Sequence, residues 1–222
     1  MELSKAETGS PGLDELMGGG LENRIITQFY GEPGGGKSTL SMLSAVRCLQ
    51  RGRAVIYIDT EGFSTERFRQ ISGDNAEEFA KNLFLFEPCD LREQGVMIGE
   101  CAPVLKNRDV GMIVLDSATA LYRTETGTHG DIQRRLGHQV VMLLGYAKRY
   151  DIPVIVTNQV YTDIDHNILT GLGGTVLRHI SKVIVRITKQ ESHRLAVLEK
   201  HRSRPEGGSF KFLIIEEGIK GV

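Results

Sequence analysis

Apolar residues in this chain come in short bursts separated by longer amphipathic stretches. Residues 25–30 (IITQFY), 54–59 (AVIYID), 83–86 (LFLF), 112–116 (MIVLD) and 153–158 (PVIVTN) read as strands. Three of the five lack polar alternation, the pattern of strands covered on both faces. Residues 38–50 set Leu40, Leu43, Val46 and Leu49 on one helical stripe, and residues 131–150 do the same with Ile132, Leu136, Val140, Leu143 and Ala147. Ser10-Pro11 reads as an N-cap followed by proline at the first helical position, opening a short helix through Leu16. Strands alternating with helices predict an α/β fold with a mostly parallel central sheet flanked by helices. After Asn158 the pattern changes. Residues 160–172 read as a polar loop, while 182–189, 194–201 and 209–215 alternate as strands. These three predict an antiparallel C-terminal extension on one edge of the sheet.

Composition adds limits. With 222 residues, 40% apolar and 25% charged, the chain has enough apolar material for one well-buried core. There is no internal repeat, low-complexity tract or linker, so a single domain over residues 1–222 is expected. A net charge of −1 gives no overall basic field, and any contact with nucleic acid must be a local patch. The 3 cysteines, Cys48, Cys89 and Cys101, form no CxxC, which argues against a disulfide framework and a structural zinc site. The histidines show no metal-ligand spacing. The start MELSKAETGSPGLDE lacks a signal pattern, and no apolar run reaches the about 20 residues a bilayer requires. A cytoplasmic protein with no membrane partner is expected.

The strongest chemical signal is GEPGGGKS, residues 31–38, between a predicted strand and a predicted helix. It satisfies GxxxxGK[ST] in the strand–loop–helix context that the motif needs. Gly34, Gly35 and Gly36 let backbone N–H groups turn inward around phosphates, and the helix amino terminus adds partial positive charge. Lys37 can reach the β and γ phosphates, and the Ser38 hydroxyl can bind Mg²⁺. The apolar strand at 112–116 ends in Asp116, placed to hold the same metal through water. Asp59 and Glu61 follow another apolar strand, at the carboxyl end of the sheet where open α/β sites lie. Glu61 is the better candidate base, since Asp59 can still belong to the strand. Asn158-Gln159 ends a third strand on that edge, where a neutral amide can sense a γ phosphate.

The order GEPGGGKST, YIDTEG, FSTERF, IVLDSATALYRTE, VIVTNQV and a Gly-Gly before the basic strands resembles the ATPase core of RecA-type recombinases. The resemblance is strongest to their archaeal branch and covers nearly the whole chain from about Thr8. It implies a RecA-like P-loop ATPase core that binds ATP and Mg²⁺. ATP would lie on Gly31, Glu32, Pro33, Gly34, Gly35, Gly36, Lys37, Ser38 and Thr39, with Arg67 against the adenine. Asp116 would be the Walker B acid, Glu61 the catalytic glutamate and Gln159 the γ-phosphate sensor. The segment after Tyr122-Arg123-Thr124-Glu125 would be the first DNA loop, and residues 160–174 the second. With only a few residues before Thr8, no amino-terminal helix-hairpin-helix domain like that of the longer relatives is expected. The second loop carries Asp163 and Asp165 and no lysine or arginine, which argues against ordinary strand exchange.

From Arg178 to Arg204 the chain concentrates positive charge: Arg178, Lys182, Arg186, Lys189, Arg194, Lys200, Arg202 and Arg204 against Glu191 and Glu199. This is either a solvated strand face or a DNA contact, with Arg178 and Lys182 as candidates and Arg134-Arg135 as a second pair. Resemblance gives Lys200 and Arg202 a further role, reaching a neighbouring subunit's nucleotide as an arginine-finger pair. Alternate residues of a strand share a face, which fits Lys-x-Arg, and Pro205-Glu206-Gly207 would cap the nucleotide. The expectation is an ATP-binding and DNA-binding accessory protein of repair and recombination with weak ATPase activity. Its implied partners are single-stranded or branched DNA, a RadA-type recombinase and a junction-resolving nuclease, with a homo-oligomer left open. The alternatives are a nucleotide-gated protein-interaction module and a P-loop kinase or clock-type ATPase without DNA.

Overall fold

The computed structural model describes residues 4–163, 168–171 and 174–222. The chain runs through β1 (Lys5–Ala6), α1 (Pro11–Leu16), β2 (Leu21–Glu22), β3 (Ile26–Gly31), α2 (Lys37–Gln50), β4 (Ala54–Asp59), α3 (Thr65–Ser72) and α4 (Ala76–Ala80). It continues through β5 (Leu83–Phe86), α5 (Leu91–Asn107), β6 (Val110–Asp116), α6 (Ala120–Thr124), α7 (His129–Tyr150), β7 (Val154–Asp163) and β8 (Ile168–Gly171). Last come α8 (Gly174–Ile180), β9 (Val183–Lys189), β10 (Arg194–Lys200), β11 (Ser209–Ile215) and β12 (Gly218–Gly221).

Among the described residues the main sheet has the order β12-β11-β10-β9-β3-β7-β6-β4-β5, with β8 paired to β7. Strands β9, β3, β7, β6, β4 and β5 are parallel. Strands β10, β11 and β12 extend that sheet antiparallel, as the alternation from 182 onward predicts. Side-chain alternation divides the core into two layers. Val55 and Tyr57 face α1, α2 and α3 with Phe29, Leu40 and Val46, while Ile56 and Ile58 face α5 and α7 with Ile98, Leu136 and Leu143. Both faces are covered, which explains why the central strands lack polar alternation.

Two elements depart from the expectation. Residues 160–172 are not wholly loop, since β7 continues to Asp163 and folds back on β8, with Val160 opposite Gly171. Val160, Tyr161 and Thr162 are good strand formers, and their propensity outweighs the polar residues that follow. Asp165 and His166 lie outside the described residues. The pattern also hides α5, because Gly95, Gly99 and Pro103 interrupt it. Its buried Leu91, Gln94, Ile98, Cys101 and Leu105 nonetheless recur at helical spacing. Asp90 caps its first turn by accepting from the Glu93 N–H at 2.7 Å.

Candidate nucleotide-binding site

Strand register builds the site. Gly31 ends β3 level with Gln159 on β7, and Asp59 ends β4 level with Asp116 on β6. Four neighbouring strands therefore deliver their chemistry to one carboxyl edge. The loop leaving β3 needs its glycines: Gly34 has φ 71°, and Gly36, the N-cap of α2, has φ 103°. A Cβ on Gly31 would stand 1.9 Å from the Ile187 carbonyl oxygen, so β9 can lie alongside only a glycine. The first turn of α2 points into a cavity of about 240 Å³ lined by Pro33, Gly34, Gly36, Lys37, Ser38, Thr39, Glu61, Gln159 and Ile214.

Inside the loop the Lys37 ammonium donates to the carbonyls of Gly31 and Glu32, each at 2.9 Å. Burial pulls its pKa below the ordinary value, against the opposing pull of Glu61, Asp116 and Glu32. This is a cation held in waiting by backbone oxygens. Asp116 is buried and accepts from Tyr57 Oη at 2.8 Å and from the Thr157 hydroxyl. Burial raises its pKa, and hydrogen bonds from Thr157, Tyr57 and Ser38 pull the other way. The Ser38 hydroxyl and the Asp116 carboxylate thus meet beside the phosphate loop, a donor set that fits Mg²⁺. No cluster of three or more metal-ligating side chains occurs among the described residues.

Glu61 is exposed, on a loop clamped from both sides. Thr60 donates its N–H to the Asp116 carbonyl at 2.8 Å and its hydroxyl to the Ser117 carbonyl at 2.9 Å. Asp59, 5% exposed, accepts the Gly62 N–H at 2.6 Å. Burial pushes the Asp59 carboxyl up to about 6. Gln159 Nε2 donates to Glu61 Oε1 at 2.7 Å, and Arg123 Nη1 donates to Gln159 Oε1 at 2.7 Å. Arg67 lies near the same end. Its guanidinium donates to the carbonyls of Glu216 and Gly218, each at 2.8 Å, tying α3 to the β11–β12 turn beside Ile214.

Lys200 and Arg202 stand elsewhere. The β9–β10 ladder shifts register between Leu198 and Lys200, β10 ends at Lys200, and strand alternation does not carry the two onto one face. Lys200 donates to the Arg178 and Ser181 carbonyls at 2.6 and 2.8 Å. Arg202 donates from Nε at 2.7 Å and pairs through Nη2 at 2.6 Å with one oxygen of Glu22, which is 3% exposed. His201, between them, is buried against the Met17 carbonyl. Pro205 and Glu206 line a cavity of about 380 Å³ with Gly12, Leu16 and Phe210, away from this chain's own phosphate loop. The candidate DNA pairs differ too: Arg134 binds Asp131 at 2.5 Å and Arg135 binds Glu125 at 3.2 Å, whereas Arg178 and Lys182 are exposed and crowd Lys200.

The sequence reading missed Tyr57 and Thr157, the donors to Asp116, and Arg123, the partner of Gln159. Their signal was positional. Tyr57 and Thr157 lie two residues before Asp59 and Gln159 on the strands flanking Asp116. Arg123 lies four residues after Thr119 on one side of a helix.

A family model described as Rad51 matches residues 1–222. The chain belongs to the Rad51 family. It is 54% identical over 224 residues to the DNA repair and recombination protein RadB of Methanoculleus marisnigri, covering 100% of both chains. It is 42% identical over 212 residues to RadB of Methanococcoides burtonii, covering 94% of each, and 41% identical over 223 residues to RadB of Archaeoglobus fulgidus, covering 99% of this chain and 100% of that one. A crystal structure of the RadB recombinase superposes with a TM-score of 0.83 at 38% identity, over 98% of this chain and 99% of that one. The RecA-like fold expected from the sequence is borne out. Proteins of this family bind nucleotide with magnesium.

Proposed function

We propose that this chain is an ATP-binding and DNA-binding accessory protein of DNA repair and recombination, with weak ATPase activity, that modulates the main recombinase. Membership of the Rad51 family and full-length similarity to RadB proteins support the process. The observation that carries the nucleotide reading is the meeting of Lys37, Ser38, Asp116, Glu61 and Gln159 at one carboxyl edge. Mg²⁺, when bound with ATP, neutralises charge on the β and γ phosphates. Lys37 exchanges its two backbone carbonyls for phosphate oxygens, and the N–H groups of the first turn of α2 supply further donors. Glu61 accepts a proton from a water aimed at the γ phosphate, and Gln159 donates its amide N–H to that phosphate. Arg67, whose guanidinium edge is held by the Glu216 and Gly218 carbonyls, would lay a face against the adenine.

Titration with a fluorescent ATP analogue, with and without Mg²⁺, tests the reading. Lys37→Ala is expected to weaken binding by tenfold or more, about 1.4 kcal/mol per factor of ten. Equal affinity of both proteins would overturn it. In parallel, gel-shift binding to single-stranded and branched DNA at two salt concentrations is expected to show retention that weakens with salt. Nucleotide binding without any DNA retention would leave a nucleotide-gated interaction module.

A further inference from the structure

Gln159 carries an amide whose two ends are alike in shape and opposite in chemistry. Its neighbours leave no ambiguity about which end faces where. Arginine has only donors, so the Gln159 oxygen must meet Arg123, at 2.7 Å. An ionised carboxylate only accepts, so the NH₂ group must meet Glu61, also at 2.7 Å. Flipping the amide would set NH₂ against guanidinium and oxygen against carboxylate.

Helix α6 makes the arrangement possible. Its N-cap, Thr119, takes the Gln159 backbone N–H on its hydroxyl oxygen at 3.3 Å and donates the same hydroxyl to Asn158 Oδ1 at 2.8 Å. One turn later, Arg123 takes the Gln159 side chain. Backbone and side chain of the same glutamine are thus fixed from two levels of one helix. The consequence appears when the Gln159 amide turns from Glu61 towards a γ phosphate. The described contact that then still holds the amide polarity is the one from Arg123.

We infer that Arg123 is a positioning residue for hydrolysis, which keeps the donor end of Gln159 aimed into the phosphate site. This deepens the ATPase reading and rests on it. Its described side-chain contact is to Gln159, and it acts through that residue.

The test uses the full chain, measuring ATP turnover and the affinities for ATP and ADP analogues in wild type, Arg123→Ala, Arg123→Lys, Gln159→Ala and the Arg123→Ala/Gln159→Ala double variant. Arg123→Ala is expected to lower kcat by about tenfold, the scale of one charge-assisted hydrogen bond. KM for ATP should stay within about twofold, since Lys37, Ser38 and the N–H groups of the loop carry most of the ground-state binding. Arg123→Lys, a single-point donor, should recover part of the loss. The double variant should be no slower than Gln159→Ala alone, because the two residues act as one unit. Losses that multiply, or an unchanged kcat in Arg123→Ala, overturn the inference while leaving the ATPase intact. Turnover indifferent to Lys37→Ala overturns the ATPase reading itself, and the inference with it.

Discussion

Asp59 shows how much a single carboxylate can govern at this edge. It is 5% exposed and spends its charge on the Gly62 N–H, so it fixes the loop that presents Glu61. Burial raises its pKa to about 6, with Asp116 and Glu87 adding repulsion. Between the ordinary carboxylate value and about 6, the unfolded chain has lost this proton and the folded chain keeps it. Stability contributed by the group is therefore full at low pH and lost as pH rises through about 6. Asp59→Asn keeps an acceptor for Gly62 and removes the titration. Melting temperatures measured from pH 4 to 7.5 are expected to show the wild type losing ground to Asp59→Asn by roughly 2–3 kcal/mol across the window, then levelling. Parallel curves would sink the assignment. The sequence could place Asp59 at a strand end, but not its burial, which depends on β5 and β6 lying on either side of β4. The glycines of the phosphate loop were legible because their requirement is local: a positive φ or a passing backbone excludes every other side chain there.

At the scale of an element, the end of β10 decides what Lys200 and Arg202 do. Alternation is readable in sequence, but the register shift after Leu198 is not, because it depends on pairing with β9 and on the turn back to β11. That turn is held at Leu198, whose N–H donates to the Gly208 carbonyl and whose carbonyl accepts the Gly207 N–H, each at 2.8 Å. Beyond it, Arg202 and the buried His201 share Glu22, so the hairpin is bolted to β2 through one carboxylate. Removing Arg202 leaves a buried charge with a weaker partner at 3.7 Å. Arg202→Ala is expected to destabilise the fold by about 2–3 kcal/mol in a urea titration, less than a fully buried pair because the guanidinium is 37% exposed. Arg202→Lys should recover little, since both guanidinium contacts converge on one oxygen. An unchanged urea midpoint together with lost turnover in assembled protein would instead favour the finger role.

At the scale of the whole molecule, the candidate nucleotide residues and a group of basic residues sit at opposite edges of the parallel sheet. The candidate nucleotide site lies at the carboxyl edge, where Gly31, Asp59 and Asp116 end their strands and Gln159 stands level with Gly31. Arg178, Lys182 and Lys200 gather at the amino edge, where the Lys182 N–H donates to the carbonyl of Ile26, the first residue of β3. Burial lowers the Lys200 pKa, and the neighbouring charges of Lys182 and Arg178 lower it further. The fold class was readable because, from β3 to β7, each short apolar strand is separated from the next by helical chain. Which basic residues stay free was not, since that depends on carboxylates brought near by folding or by a helix turn. Glu125 and Asp131 neutralise Arg135 and Arg134, whereas described ion pairs include none for Arg178 or Lys182. Phosphate contacts release counterions in proportion to the charges that make them. Arg178→Ala/Lys182→Ala is therefore expected to weaken single-stranded DNA binding and to flatten the slope of log K against log salt by about 1–2. Arg134→Ala/Arg135→Ala should change the slope by less, because each arginine gives up a carboxylate before it can meet a phosphate. The reverse order of effects would favour a DNA contact at Arg134 and Arg135 instead.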